Sequence, residues 1–554
     1  MNAYRSTSCN RRPGADPGGH LHPRHYHVAL APERWNAMPA AQVTQLPLNA
    51  DQSYVARIRD SLVRDPAHVV IHSGGNTVSA GDLLAAIGAV ASALSRLNIG
   101  PSDVVAVLTA PNVPALLVAR YAAHSLGAAV THIRSMNARS DLDPLPLHAQ
   151  ARVLIETGAR VLAVDAASSE RARALRDHVP HLVVTRVDGQ IAGGGALPHI
   201  HPHRPQDLAA IDLTSGTTGY PKLVRHSFGA RERQVRLSAG DHPRDHRPIL
   251  LCVTPISHAT STMVDAALLE GGAVVLLPEF DPAVVLTAVG QHRVTDMYLS
   301  VPALYQLLDH PDLMRTDLSS LRRVIYSGTP AAPARIVEAL AVFGDRLAQL
   351  YGSTEAGGIC TLVPLDHREP ELLGSVGRPF SWVDIVIREL DSDAGVPQGG
   401  TGEVCVRSAT VMDGYLNDPD HTARVLRDGW LRTGDLGYVD RYGYLRLIGR
   451  TGNVIKCGGL KIHPSTVEHV LLSHPLVANA AVFGVRDRDY RERVCAAVQL
   501  RSGACCSPAD LSAYVAGALS PEHVPAEMTF WNSWPLTESG KPDHGILRRQ
   551  ESGS

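Results

Sequence analysis

Between about residues 50 and 380, apolar strand-like runs alternate with stretches whose apolar residues recur at helical spacing. The runs at 104–108, 250–253, 274–277 and 323–326 alternate with helical stretches such as 113–125. Strand, helix, strand in succession implies largely parallel sheets layered with helices, so the predicted class is α/β. Past about residue 380 the runs shorten and turns multiply, at 383–387, 402–406 and 443–447, as in a small β subdomain. A boundary is expected near Gly449-Arg450. The last hundred residues alternate helix 465–473, strand 480–485, strand 494–500 and helix 508–519, enough for a small α+β domain. The expected domains are therefore 1–45, a disordered tail; 46–449, a large N-terminal domain; and 450–554, a small domain able to swivel.

A chain of 554 residues is too long for one core. A net charge of −2 with 19% charged residues gives no global field to attract nucleic acid or an anionic membrane surface. The longest greasy segment, 83–97, is broken by Gly, Ser and Arg, so no membrane span is expected. The N-terminal arginines have no apolar stretch behind them, which argues against a secretory signal. Eight cysteines without a Cys-x-x-Cys spacing fit a reducing cytoplasm, and the adjacent Cys505 and Cys506 are expected to be surface thiols. His20, His22, His25 and His27 lie in a Pro/Gly-rich tail with no paired cysteine or carboxylate, a poor metal site.

Thr214, Ser215, Gly216, Thr217, Thr218 and Gly219, then Tyr220-Pro221-Lys222, follow an apolar entry through Ala209, Ala210, Ile211 and Leu213. Glycines let a loop turn its N–H groups toward one point, hydroxyls add donors and the lysine adds charge, a composition suited to a triphosphate. The spacing is not that of a Walker loop, because Leu223 stands where a hydroxyl would follow the lysine. Four further motifs come in order: Tyr351-Gly352-Ser353-Thr354-Glu355, Gly434-Asp435, Gly449-Arg450 and Ser539-Gly540-Lys541.

Together the five motifs resemble the adenylate-forming superfamily of acyl-CoA synthetases, peptide-synthetase adenylation domains and luciferases, over roughly residues 50–550. The resemblance implies an ATP-dependent ligase that activates a carboxylic acid as acyl-AMP with release of pyrophosphate. It implies that the loop from Thr214 to Lys222 covers the β- and γ-phosphates, that Thr354 contacts the α-phosphate, and that Glu355 holds Mg²⁺. Tyr351 would stack on adenine, with Gly352 in the same motif and Gly328, in Ser327-Gly328-Thr329-Pro330, on the opposite wall. Asp435 would accept the ribose hydroxyls with Arg450 beside it, and Lys541 would offset charge in the transition state. The chemistry fits independently: in-line attack by a carboxylate on a phosphate needs converging cations and donors.

The fate of the acyl-AMP is less legible. Too little chain follows Lys541 for a built-in carrier, so the acceptor is expected to be CoA, a separate carrier protein or an amine. Gly452 stands at the swivel position, where the family usually has Asp or Lys. Tyr490-Arg491-Glu492-Arg493 stands where Gly-Glu is more typical. Pro255-Ile256-Ser257-His258-Ala259 resembles the family's Pro-x-x-His element at the acyl pocket, and Asp265, two helical turns later, falls on a similar face. An acid there could pair with His258 or with an incoming ammonium, so both join Lys541 as catalytic candidates. Gly458-Gly459-Leu460-Lys461-Ile462-His463-Pro464 and these departures look closer to the amide-forming ligases of antibiotic pathways than to CoA ligases of central metabolism. The expected reaction is amide formation from an aromatic acid and an amine. CoA ligation is the alternative, and a non-catalytic nucleotide binder is a third reading, opposed by Thr354, Glu355 and Lys541 together.

Overall fold

The computed structural model describes residues 53–134, 145–189, 199–214, 220–239, 247–390, 392–457, 460–486, 492–536 and 541–549. The expected N-terminal tail with its histidines, residues 215–219 of the phosphate loop, residues 458–459, 487–491 and 539–540 lie outside them.

Two sheets dominate the large domain. Among the described residues one has nine strands, ordered Arg378–Pro379, Gly357–Leu362, Leu347–Ser353, Arg323–Ser327, Asp296–Ser300, Ile249–Cys252, Ala273–Leu276, Val69–Ser73 and Asn76–Ser79. The strands from Leu347–Ser353 through Val69–Ser73 pair in parallel, and the edges are antiparallel. The other has seven, ordered Gly414–Tyr415, Lys222–Ser227, Leu208–Thr214, Ala129–His132, Val104–Leu108, Val161–Val164 and Val183–Arg186. Its last five are parallel, while Lys222–Ser227 folds back antiparallel on Leu208–Thr214.

The sequence pattern follows from this layering. Strands such as Val104–Leu108 and Ala273–Leu276 are buried at every position, hence apolar at every position. Helices Ala80–Arg96 and Pro114–Ser125 share one apolar cluster with Ile71, Leu250 and Val274 of the first sheet and Val105, Val130 and Val161 of the second. They fill the space between the sheets, so a helix such as Pro114–Ser125 is buried along nearly its whole length. Local signals set the helix starts: Pro114, Pro282 and Pro333 stand in first turns, and Ser79, Ser227 and Ser300 each accept a backbone N–H at the cap.

The β subdomain is an antiparallel sheet of Val383–Arg388, Gly402–Ser408, Trp430–Val439, Leu426–Arg427 and Leu445–Arg450. The strand expected at 443–447 begins at Leu445 because Gly443, at φ 83°, belongs to the turn closed on Asp440. In the small C-terminal domain, Val477–Arg486, Glu492–Leu500 and Glu527–Phe530 form a sheet packed by Pro464–Ser473 and Pro508–Ala518. The latter helix opens with a reciprocal Ser507–Asp510 capping box. This domain docks on the large one: Arg501 Nη2 lies 2.8 Å from Glu338 Oε1, Ser465 Oγ donates to the Ile448 carbonyl, and Ile462 and Val467 join an apolar cluster that includes Leu299 and Val324.

Candidate active site

In an open parallel sheet the connecting loops gather at the carboxyl ends of the strands, where ligands bind. Here Ser300, Ser327-Gly328, Gly352-Ser353-Thr354 and, after strand Ile249–Cys252, Thr254, Pro255, Ser257 and His258 all reach one cavity of about 570 Å³. That volume is in the range of small-molecule sites, about 300–1,000 Å³. Lys541 enters it from the C-terminal domain, with its Cε 3.6 Å from where a Cβ on Gly328 would lie. Gly328 has φ 99°, a conformation L side chains rarely adopt, so the lysine passes over a position glycine alone fills without strain.

Lys541 keeps solvent contact, yet burial of its ammonium and the nearby Arg450 hold its pKa below the usual lysine value, against the opposite pull of Asp435 and Glu355. Those four groups therefore share one field. Arg450 and Asp435 face each other across adjacent strands, and Arg450 Nε donates to Asp435 Oδ1 at 2.9 Å. The hydroxyl of Tyr351 donates to Asp435 Oδ2 at 2.7 Å. Burial first, and this carboxylate second, push the Tyr351 phenol well above its ordinary pKa, so it remains a neutral donor.

Thr214 and Lys222 pair across the hairpin whose tip is the phosphate loop. Lys222 Nζ lies 5.2 Å from the centre of the Tyr415 ring, and the Tyr415 hydroxyl donates to Glu355 Oε1 at 3.1 Å. One tyrosine thus links the loop cation to the acid expected to hold a metal. A carboxylate has lone pairs beyond that single bond, and one hard oxygen ligand suffices for Mg²⁺ when phosphates and water supply the rest, so the residues fit that ion. Thr354 is anchored through its carbonyl, 3.0 Å from His226 Nε2.

His258 lines the cavity in a turn held from behind: the Ile256 N–H donates to Asn112 Oδ1 at 3.0 Å, and Arg120 donates to the Ile256 carbonyl at 2.8 Å. Burial, helped by Lys541, lowers the His258 pKa against an upward pull from Asp212, which keeps the ring neutral near pH 7. Asp265 corrects the expectation from sequence. It pairs neither with His258 nor with a site for an ammonium; it is fully buried, bonded by Arg120 Nη2, the Tyr121 hydroxyl and Arg231 Nη2, each at 2.6 Å. Burial alone would raise its pKa, but the two guanidiniums outweigh this and hold it below the ordinary value. With both oxygens engaged it accepts no further proton, and it acts on His258 only through Arg120 and the Ile256 carbonyl. Helical spacing placed Asp265 on the right helix; it could not show that two arginines stand between the acid and the pocket.

Sequence reasoning also missed Asp212, His226 and Tyr415. Asp212 carried a signal, an acid inside the apolar run Ala209-Ala210-Ile211-Asp212-Leu213, whereas His226 and Tyr415 carried none.

The AMP-binding enzyme family matches residues 58–416, and its C-terminal domain matches residues 466–541. The chain belongs to this family and is an ATP-dependent ligase that forms acyl-AMP. Among solved structures it is similar to the amide bond synthetase McbA from Marinactinospora thermotolerans, at 36% identity and TM-score 0.78, covering 90% of this chain and 99% of that one. Among curated relatives it is 32% identical to a medium/long-chain-fatty-acid–CoA ligase, FadD8, of Mycobacterium tuberculosis, over 88% of each. It is also 32% identical to a feruloyl-CoA synthase of Amycolatopsis sp, over 88% of this chain and 96% of the relative. No helix among the described residues is long and apolar enough to cross a membrane.

Proposed function

We propose that this enzyme joins an aromatic carboxylic acid to an amine, activating the acid as acyl-AMP and releasing AMP as the amide forms. The observation that carries the acceptor is the likeness to an amide bond synthetase at 36% identity across 90% of the chain, against 32% for the two CoA-forming relatives. An aromatic acid is supported by the cavity wall, where Phe380 and Trp382 stack with centroids 4.5 Å apart beside Tyr298, Leu350 and Met263.

In this reading Asp435, with Tyr351 and Arg450 on its two oxygens, receives the ribose, and Tyr351 borders the adenine. Thr354 meets the α-phosphate, and Lys222 with the loop at 214–219 meets the leaving pyrophosphate. Glu355 holds Mg²⁺, which neutralises phosphate charge when bound. Lys541 stabilises the negative charge that develops as the carboxylate attacks, work that needs a preplaced cation and no covalent bond.

The test is an acid panel in ATP–pyrophosphate exchange, followed by product mass with an amine, with CoA and with both. Exchange driven by aromatic acids and an amide product support the proposal. Acyl-CoA as the sole product rejects the amine.

A further inference from the structure

A second, narrow cavity of about 30 Å³, room for about one water, opens beside the first. The two share Asp212, Pro255, Ser257 and His258, so these residues form the wall between the acyl-AMP site and the second space. Asp212 lies two residues before Thr214 on one strand and therefore faces the same side as the start of the phosphate loop. Its side chain is 25% exposed and lies 3.7 Å from His226 Nε2; among the described residues no hydrogen bond engages its carboxylate. Asp265, by contrast, has both oxygens occupied.

From this geometry, and resting on the amide-forming reading, we infer that Asp212, on the wall that the two cavities share, is the carboxylate that binds the acceptor's ammonium group and takes its proton. An alkylamine reaches the enzyme as R–NH₃⁺, which has no lone pair to attack with. A carboxylate attracts that cation and accepts one N–H proton. The freed lone pair then forms the C–N bond at the acyl carbon, and the C–O bond to phosphate breaks with its electron pair leaving on AMP. The second proton leaves the nitrogen, rendered acidic by the new bond, to the neutral His258 ring and then to water. A thiolate acceptor would instead be repelled by Asp212, so the same carboxylate selects amine over thiol. The charged and titratable groups around this wall are His132, Arg134, His226, His258 and Lys541.

The test is Asp212→Asn and Asp212→Glu in three assays: acid-dependent ATP–pyrophosphate exchange, amide formation with a primary alkylamine, and acyl transfer to hydroxylamine, which is already neutral at pH 7. Asp212→Asn is expected to keep exchange within about threefold and to lose about 10²-fold or more with the alkylamine, while transfer to hydroxylamine falls far less. Asp212→Glu should recover part of the alkylamine rate. Undiminished amide formation by Asp212→Asn overturns the assignment, as does a parallel fall in all three assays. Wild-type enzyme that makes only acyl-CoA overturns the amide reading and this inference together; wild-type enzyme that makes amide as well as Asp212→Asn does overturns this inference alone.

Discussion

Asp265→Asn separates a buried structural anion from a catalytic one. The wild-type carboxylate neutralises two guanidiniums, Arg120 and Arg231, whose side chains are 3% and 8% exposed. The amide keeps the shape, removes the charge and turns an N–H donor toward donors. Breaking a buried ion pair by removing one partner costs about 3–5 kcal/mol, and here two cations are orphaned, so the upper half of that range is expected. Adding Arg231→Met to Asp265→Asn removes one orphan and should restore about 1–3 kcal/mol, a coupling typical of contacting residues. Urea unfolding followed by circular dichroism measures both. Arg120 also holds the Ile256 carbonyl, so the His258 turn loosens, and at low temperature, where the variant is folded, acyl transfer should fall no more than about tenfold, less than the 10²-fold a 1 Å misplacement can cost. Unfolding stability within about 1 kcal/mol of wild type, combined with loss of acyl transfer, would refute the structural role and return Asp265 to the chemistry.

Gly328→Val should reduce exchange more than it reduces ATP binding measured by calorimetry, because φ 99° strains any side chain and its Cβ adjoins the Lys541 stem. Glu355→Gln should raise the Mg²⁺ concentration needed for half-maximal exchange by tenfold or so, while leaving unfolding stability within about 1 kcal/mol. Glu468, whose Oε1 accepts from the Val482 N–H, has its pKa raised by burial to about 7 from 4.5. A carboxyl with a raised folded-state pKa binds more protons folded than unfolded, so its stabilising contribution is full below about pH 4.5 and is lost as pH rises through 7. The difference corresponds to roughly 3 kcal/mol at most. Glu468→Gln should therefore flatten the decline in stability between pH 5 and 8, measured by urea melts; an unchanged slope contradicts the assignment.

The fold is legible in the sequence to a different degree from element to element. Strand Val104–Leu108 and helix Pro114–Ser125 stood out because parallel strands and interlayer helices are buried on all sides and must be apolar throughout. Strand Val477–Arg486 begins three residues before the expected 480, because the polar but buried Asn479 interrupts the apolar run at its start. At the site, Asp435 and Arg450 were legible as motif residues, and their pairing follows from strands that a turn brings side by side. The sequence pointed to Asp265 through its helical spacing from His258 and passed over Asp212, although both are acids in apolar surroundings. The difference is the arginines that come to Asp265 from 145 and 34 residues away, whereas among the described residues the ion-pair contact of Asp212 is His226.

In the proposed function Lys541, carried into the cavity by the C-terminal domain, makes acyl-AMP with the residues around Asp435 and Glu355. Carboxylic-acid-dependent ATP–pyrophosphate exchange by wild type and Lys541→Ala tests it in one assay. Wild type should exchange when an aromatic acid is present, and Lys541→Ala should lose about 10²–10³-fold or more while binding ATP within a few-fold. Exchange by Lys541→Ala at the wild-type rate would contradict it.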